Sequence, residues 1–341
     1  MKRLIVCFLC LTLTLTGCRS IPTSAAKQYT ATFLTLFDTV TTIVGRAESE
    51  EAFRAKAQAV HDELLTYHKL FDIYHEYSDR NNLKTVNDHA GIAPVTVDQK
   101  IIDLLLDCKA YYTATNGKVN VAMGSVLQLW HEARNDWIDD PMHAYLPDQN
   151  ALIDAAAHTS MDAVVIDEAA STVFLADPLL RLDVGAVAKG WAAERVARTS
   201  PEGLLISVGG NVIATGPKDS SGTAWVIGIQ DPDKGDAYLH SIYLSKGSVV
   251  TSGDYQRTYY VDGVAYHHII DPETLYPALL WRSVTIVCAD SGAADALSTA
   301  LFLMTQEEGL SLLSQFDAEA MWVAADGAIF YSPGFQNMIR T

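Results

Sequence analysis

Between Arg257 and Ile270 the pair Asp262-Gly263 separates two alternating or aromatic runs. Both central positions of a two-residue hairpin turn need positive φ, which Asp-Gly accepts, so the segment reads as a β-hairpin. A second such hairpin is expected around Asp326-Gly327. Upstream, Leu204 to Val208 runs into Gly209-Gly210-Asn211, and Trp225 to Ile229 runs into Asp231-Pro232, so the second half is rich in strands. The first half reads differently. Ser49, Glu50 and Glu51 open a helix whose Phe53, Ala57, Val60, Leu64 and Phe71 form one apolar face. Asp98 caps a second helix through Tyr112, closed by Asn116-Gly117. Strands and helices mix without a βαβ rhythm, which favours an α+β fold over a doubly wound sheet. A chain of 341 residues, 49% of them apolar, can bury a large core as one domain or two lobes.

The N-terminus reads as an export signal over residues 1–17. Lys2 and Arg3 precede an apolar stretch from Leu4 to Leu15, too short to span a bilayer comfortably. Leu15-Thr16-Gly17-Cys18 has the form of a bacterial lipobox, in which cleavage precedes the Cys and its thiol is acylated; the alternative is an ordinary secretory signal with a chance Cys. Two acyl chains hold a protein on a membrane where one gives marginal attachment. Residues 18–30, polar and Pro-containing, are expected to be a tether, and residues 31–341 the folded domain. Cys108 and Cys288 remain in the folded part, in apolar segments where buried free thiols are expected.

A net charge of −17, with no basic run, argues against a nucleic-acid partner. An anionic substrate would be repelled at long range and needs a local cation, either a metal or a placed Lys.

Three segments could supply that chemistry. In Leu182-Asp183-Val184-Gly185-Ala186-Val187-Ala188-Lys189-Gly190 a strand delivers Asp183, and small residues open a helix through Ala197. Free N–H groups at the helix start, with Lys189 on its first turns, could hold a phosphate; taken alone, the segment reads more readily as a capped helix with a snorkelling Lys. In Ala294-Asp295-Ala296-Leu297-Ser298-Thr299, Asp295 and Thr299 stack four residues apart and offer two oxygens to Mg²⁺. Alternatively Thr299 bonds back to the Asp295 carbonyl and Asp295 only caps. Thr251-Ser252-Gly253-Asp254-Tyr255 precedes the hairpin, which ends in Tyr266-His267-His268-Ile269-Ile270-Asp271-Pro272. Strand alternation puts Tyr266, His268 and Ile270 on one face and His267 on the other, so one His at most serves a given site. That His is either a general base or a hydrogen-bonded core residue.

Asp-Val-Gly-Ala-Val-Ala-Lys-Gly, Ser-Val-Gly-Gly-Asn, Trp-Val-Ile-Gly-Ile-Gln-Asp-Pro, Thr-Ser-Gly-Asp-Tyr, His-His-Ile-Ile-Asp-Pro and Ala-Asp-Ala-Leu-Ser-Thr-Ala-Leu follow one another in this order. Together they resemble the ApbE family, from Phe37 to Phe335. The resemblance implies an α+β fold of two packed lobes, with mixed or antiparallel sheets and FAD between them. It also implies a lipoprotein enzyme that moves FMN from FAD to a Thr hydroxyl of an exported acceptor flavoprotein, with AMP leaving. Asp183, Lys189 and Asp254 match FAD-contacting positions; the Ala186 carbonyl, Asp295 and Thr299 match magnesium ligands. His268 and Ile270 match the His and the apolar flavin contact before Asp-Pro, and His268 is the implied base. Phe37 stands in a Met position, and Tyr74 matches an aromatic ligand with Tyr77 as competitor. Val119, Asn120 and Val121 occupy a segment that commonly reads Ala-Phe-Asp-Pro, and Leu275 replaces a common Gly. Two other readings compete: an FAD pyrophosphatase giving FMN and AMP, and a lipoprotein that binds flavin without chemistry.

Overall fold

The computed structural model describes residues 26–235 and 237–340; Cys18 and the export signal lie outside them. The chain opens with β1 (Lys27–Leu36) and β2 (Thr39–Ala47), then α1 (Glu50–Phe71), α2 (Leu83–Asp88), β3 (Val95–Thr96) and α3 (Gln99–Ala114). Next come α4 (Gly124–Asp139), α5 (Gln149–Ala156), β4 (Val164–Asp167), β5 (Thr172–Leu175) and α6 (Ala188–Thr199). The strand-rich half holds β6 (Leu204–Val208), β7 (Asn211–Ala214), β8 (Trp225–Gln230), β9 (Tyr238–Leu244) and β10 (Gly247–Gly253). It closes with β11 (Tyr259–Val261), β12 (Val264–Tyr266), β13 (Trp281–Cys288), α7 (Ser291–Phe302), α8 (Gln306–Leu313), β14 (Ala318–Ala324) and β15 (Ile329–Tyr331).

Eight strands form one antiparallel sheet in the order β1-β2-β6-β7-β10-β13-β14-β15. Its central strands are covered on both faces, and their alternation shows it. Val250, Ile286, Ala320 and Trp322 point to the main core under α1, α6 and α7. Val249, Val287, Met321 and Val323 point the other way, against Trp225, Ile227 and Ile242 of the β8–β9 hairpin. A third cluster joins α4 and α5 to the β11–β12 hairpin around Trp130, whose indole meets the rings of Tyr259, Tyr266 and Tyr276 at 5.4–6.4 Å. The fold is α+β, as the absence of a βαβ rhythm indicates.

Sequence signals at the helix ends hold. The Ser49 hydroxyl accepts from Ala52 N–H at 3.1 Å, and the stripe from Phe53 to Phe71 is buried. Asn116 and Gly117 close α3 with φ of 49° and 81°. Three details differ. Strand β1 starts at Lys27, inside the expected tether, because Tyr29, Ala31 and Phe33 lean on the core while pairing with β2. Asp262 and Gly263 make the expected two-residue turn with φ of 51° and 80°, but β12 ends at Tyr266, so strand alternation does not reach the histidines. Around Asp326-Gly327 residues 325–328 separate the paired strands, a longer turn than Asp-Gly suggests. Cys108 and Cys288 are both free thiols.

Helices α6 and α7 pack face to face at Gly190. A Cβ there would lie 2.3 Å from the Ser291 carbonyl oxygen and 2.5 Å from Asp295 Cβ. Gly190→Ala must push the helices apart, an overpacking that costs roughly 1–3 kcal/mol. The expected result is a lowered thermal midpoint; an unchanged one would show that α6 and α7 separate without penalty.

Candidate active site

A cavity of about 590 Å³ opens between the sheet's β7–β10 end, the start of α6, the middle of α7 and the α4 layer. That volume suits a cofactor-sized ligand. Of the residues singled out in the sequence, Phe37, Tyr74, Val119, Asn120, Asp183, Ala186, Lys189, His268, Ile270, Asp295 and Thr299 all line it. Val121 and Asp254 do not. Val121 is 1% exposed in the core, and its carbonyl accepts from Asp183 N–H at 2.8 Å, so it fixes a wall residue from behind. Asp254 accepts from Arg282 Nε at 2.6 Å and is not part of the cavity wall. Tyr77 also stays outside, donating its hydroxyl to Asp72 at 2.9 Å, whereas Tyr74 lines the wall together with Phe71.

The phosphate-binding segment is built by a turn. Asp183 Oδ1 accepts Gly185 N–H at 2.8 Å, folding Val184–Ala186 ahead of α6. Lys189 thereby sits on the first turn, its ammonium 3.2 Å from the Gly185 carbonyl and 4.0 Å from Asp295 Oδ2. The helix start is not wholly free for an anion, since Gly190 N–H donates to Asp295 Oδ2 at 2.8 Å.

Asp295 is 4% exposed in the middle of α7, whose cap is Asp290, so it does not cap. Nor does Thr299 bond back to its carbonyl; the Ser298 hydroxyl takes that position at 2.9 Å. Burial pushes the Asp295 carboxyl up, while Lys189, Gly190 N–H and Asn211 hold it down. Asn211, 2% exposed in the same wall, turns its buried Nδ2 to the Asp295 carboxylate without reaching full hydrogen-bond geometry. A carboxylate sunk in apolar surroundings, a hydroxyl and a backbone turn at Ala186 make an oxygen-only donor set. That set fits Mg²⁺, which binds few protein ligands and keeps water or substrate phosphates.

The two histidines separate by environment. His267 is buried edge-on against Phe302 at 5.6 Å; its Nδ1 accepts Ile269 N–H at 3.2 Å, so its Nε2 donates to the Ala278 carbonyl at 2.7 Å. Both nitrogens are spent on structure. His268 lines the cavity, and its Nδ1 donates to the Gln256 carbonyl at 3.0 Å, leaving Nε2 as the unprotonated nitrogen. Burial, then Arg257, Lys189 and His267, push its pKa down to about 3 against the pull of the Gln256 carbonyl. Bends outside the strand, rather than strand alternation, set this division.

Other wall residues carry no local sequence signal. Tyr74 shares a 3.0 Å hydrogen bond with His131 Nδ1, which lies 4.0 Å from Asp183 Oδ2. In sequence His131 is one polar position on the amphipathic α4. Asp72 holds the Tyr74 loop: burial raises its carboxyl, but Tyr74 N–H, His75 N–H, the Tyr77 hydroxyl and the His75 ring bring it below the usual carboxylate range. Phe37 and Asp38 turn β1 into β2 with φ of 52° and 51°, and Phe37 N–H donates to His68 Nδ1 at 3.2 Å. Leu275 takes φ of 62°, the left-handed region that the more common Gly enters freely, and its carbonyl is held by Trp130 Nε1 at 3.0 Å.

The chain is 34% identical over 281 residues to a FAD:protein FMN transferase of Treponema pallidum, covering 77% of this chain and 76% of that protein. It is 32% identical over 287 residues to one from Klebsiella pneumoniae, covering 80% and 86%. Its fold superposes on the ApbE protein of Thermotoga maritima with a TM-score of 0.81 at 32% identity, over 92% of this chain and all of that one. The flavin transferase ApbE of Vibrio cholerae shares the fold, with a TM-score of 0.76 at 22% identity over 92% of this chain and 100% of its own. Residues 37–322 match the model of the ApbE family, a span that begins and ends within the elements forming the cavity and the sheet behind it. On sequence and fold, the chain belongs to the ApbE family.

Proposed function

We propose that this chain transfers the FMN half of FAD to a Thr hydroxyl of an acceptor flavoprotein, releasing AMP. The observation that carries this is the meeting, in one cavity, of the Ala186–Asp295–Thr299 oxygen set, the Lys189 ammonium and a neutral His268. Phe37, Tyr74, Val119, Asn120, Asp183, Lys189 and Ile270 line the space for FAD. Mg²⁺, held by the Ala186 carbonyl, Asp295 and Thr299, would supply charge neutralisation on the diphosphate. Lys189, whose ammonium lies 4.0 Å from Asp295 Oδ2, would add a second positive charge to the same phosphates. The acceptor hydroxyl oxygen bonds to the FMN phosphorus as the bond to the bridging oxygen breaks, and that electron pair leaves on AMP. His268 Nε2 takes the hydroxyl proton, while the Gln256 carbonyl holds the ring by its Nδ1–H. Incubation with FAD, Mg²⁺ and an exported acceptor flavoprotein should give acceptor heavier by FMN, together with AMP. Free FMN and AMP, with the acceptor unmodified, would overturn transfer in favour of hydrolysis.

The reading includes a place of work: the extracytoplasmic face of the bacterial cell membrane, with a lipid anchor at Cys18. The lipobox supports it. Cys18→Ala should move the protein from the membrane fraction to the soluble fraction or leave it unprocessed. A wild-type protein found soluble and unacylated in its own host would refute the anchor.

A further inference from the structure

Helix α4 meets the cavity along one stripe. Met123 at its N-cap, Leu127 and His131 stand at i, i+4 spacing, and all three line the wall. Val126, Trp130 and Ala133 are buried behind them in the third core cluster. The helix is pinned where it starts. Gly124 N–H donates to the Arg181 carbonyl at 2.9 Å, and a Cβ on Gly124 would lie 2.5 Å from that oxygen. Just beyond Arg181, Asp183 N–H donates to the Val121 carbonyl. The stripe therefore has a fixed place beside the phosphate-binding turn, and His131 is its polar end. Tyr74, by contrast, belongs to a loop. Its N–H is held by Asp72 Oδ1 at 2.7 Å, but its hydroxyl has one hydrogen-bond partner among the described residues, His131 Nδ1 at 3.0 Å. The Tyr74 ring lines the cavity and is 56% exposed, and it lies 6.4 Å from the imidazole at 50°, which is not a stack. Burial, with Arg134 and Arg257, pushes the His131 pKa down against the pull of Asp183. Its ring is neutral, and either tautomer closes the bond to the phenol. The same Nδ1 lies 4.0 Å from Asp183 Oδ2, the oxygen left when Oδ1 accepts Gly185 N–H.

We propose that His131 is a positioning residue for nucleotide binding: from the rigid α4 it fixes the Tyr74 ring, through the phenol hydroxyl, in the orientation that meets a planar group of FAD. The proposal rests on the transferase reading for FAD as the ligand. A wall group carried on a helix is placed more closely than one carried on a loop, and the hydrogen bond lends the helix's precision to the loop aromatic. Without it the half-open ring is free to swing and must be ordered when the ligand arrives, which weakens binding. Because His131 also stands beside Asp183, the aromatic and the phosphate-binding turn are registered on one imidazole, so the two ends of a nucleotide would meet walls already set relative to each other.

The test is a double-mutant cycle in the full protein, with FAD affinity read by flavin fluorescence without acceptor and thermal midpoints confirming that each variant folds. His131→Ala and Tyr74→Phe should each weaken FAD binding by roughly 3–10-fold, the worth of one neutral hydrogen bond. The double variant should lie within about 2-fold of either single one, because both substitutions remove the same bond. His131→Asn, whose amide can stand in the place of Nδ1, should recover most of the loss. Additive losses in the double variant would mean that His131 acts through the fold at large and would overturn the proposal. Unchanged affinity in either single variant would overturn it as well. A wild type that binds FAD but transfers nothing to an acceptor would sink the transferase reading and leave the positioning role standing, since the cycle uses no acceptor. A wild type that binds no FAD would overturn both.

Discussion

Asp295→Ala should lower FMN transfer by roughly 10³-fold or more while the protein stays folded. Several kcal/mol of charge stabilisation at a diphosphate ride on a bound cation, and Asp295 is the sole carboxylate in the proposed ligand set. Its removal also frees Gly190 N–H and leaves Lys189 without its 4.0 Å neighbour. Stability should also fall, by roughly 1–3 kcal/mol, because the buried Gly190 N–H loses its acceptor, so the loss of transfer is read at a temperature where the variant is folded. Two measurements decide the matter. Wild-type protein should gain thermal stability with added Mg²⁺ and FAD, and the variant should not. A variant that transfers FMN at the wild-type rate, or gains the same stabilisation, would remove Asp295 from the metal site.

His268→Ala should cut transfer by about 10²–10⁴-fold, the range of general-base assistance, with FAD affinity near normal. His267→Ala, by contrast, should act through stability, since both nitrogens of His267 are engaged in structure. The pH dependence supplies a second readout. With its pKa pushed down to about 3, His268 in the free enzyme stays neutral through the acid range, so it puts no limb of its own on kcat/KM near pH 6, and any limb there belongs to the Asp295 carboxyl that burial pushes up. Bound diphosphate pairs with Lys189 and relieves part of the cationic pressure, so the pKa climbs in the complex. The acid limb of kcat should therefore lie at higher pH than that of kcat/KM, because the two profiles report the complex and the free enzyme respectively. A limb at the same pH in both, or parallel loss of FAD affinity and turnover in His268→Ala, would make His268 a binding residue.

Motif residues close to a turn or helix start were legible in the sequence because local geometry alone aims them. Asp183, Lys189, Asp295 and Thr299 are placed by the Gly185 turn and by the four-residue repeat of a helix, and all reach one cavity. His268 was legible as a candidate for a reason that did not hold: the strand stops at Tyr266, and it is the Gln256 carbonyl that orients the ring. His131 was illegible. It looks like an ordinary polar position of α4 until that helix is brought against the Tyr74 loop and Asp183. The antiparallel order of the main sheet was hidden for the same reason, since β2 pairs with β6 across the whole α1–α6 insertion.

That pairing, Thr41 with Val208, together with a cavity wall drawn from Phe37 through Leu303, has a kinetic consequence. Contacts so remote in sequence are closed late, because loop entropy is spent before they reward the chain. The ligand pocket is therefore expected to form late in folding and to be incomplete in a chain still lacking α7, which supplies Asp295 and Thr299. A polypeptide truncated before Ser291 should neither retain flavin nor be rescued by it, whereas saturating FAD should slow unfolding of the complete protein. Flavin binding would in that sense certify a finished molecule.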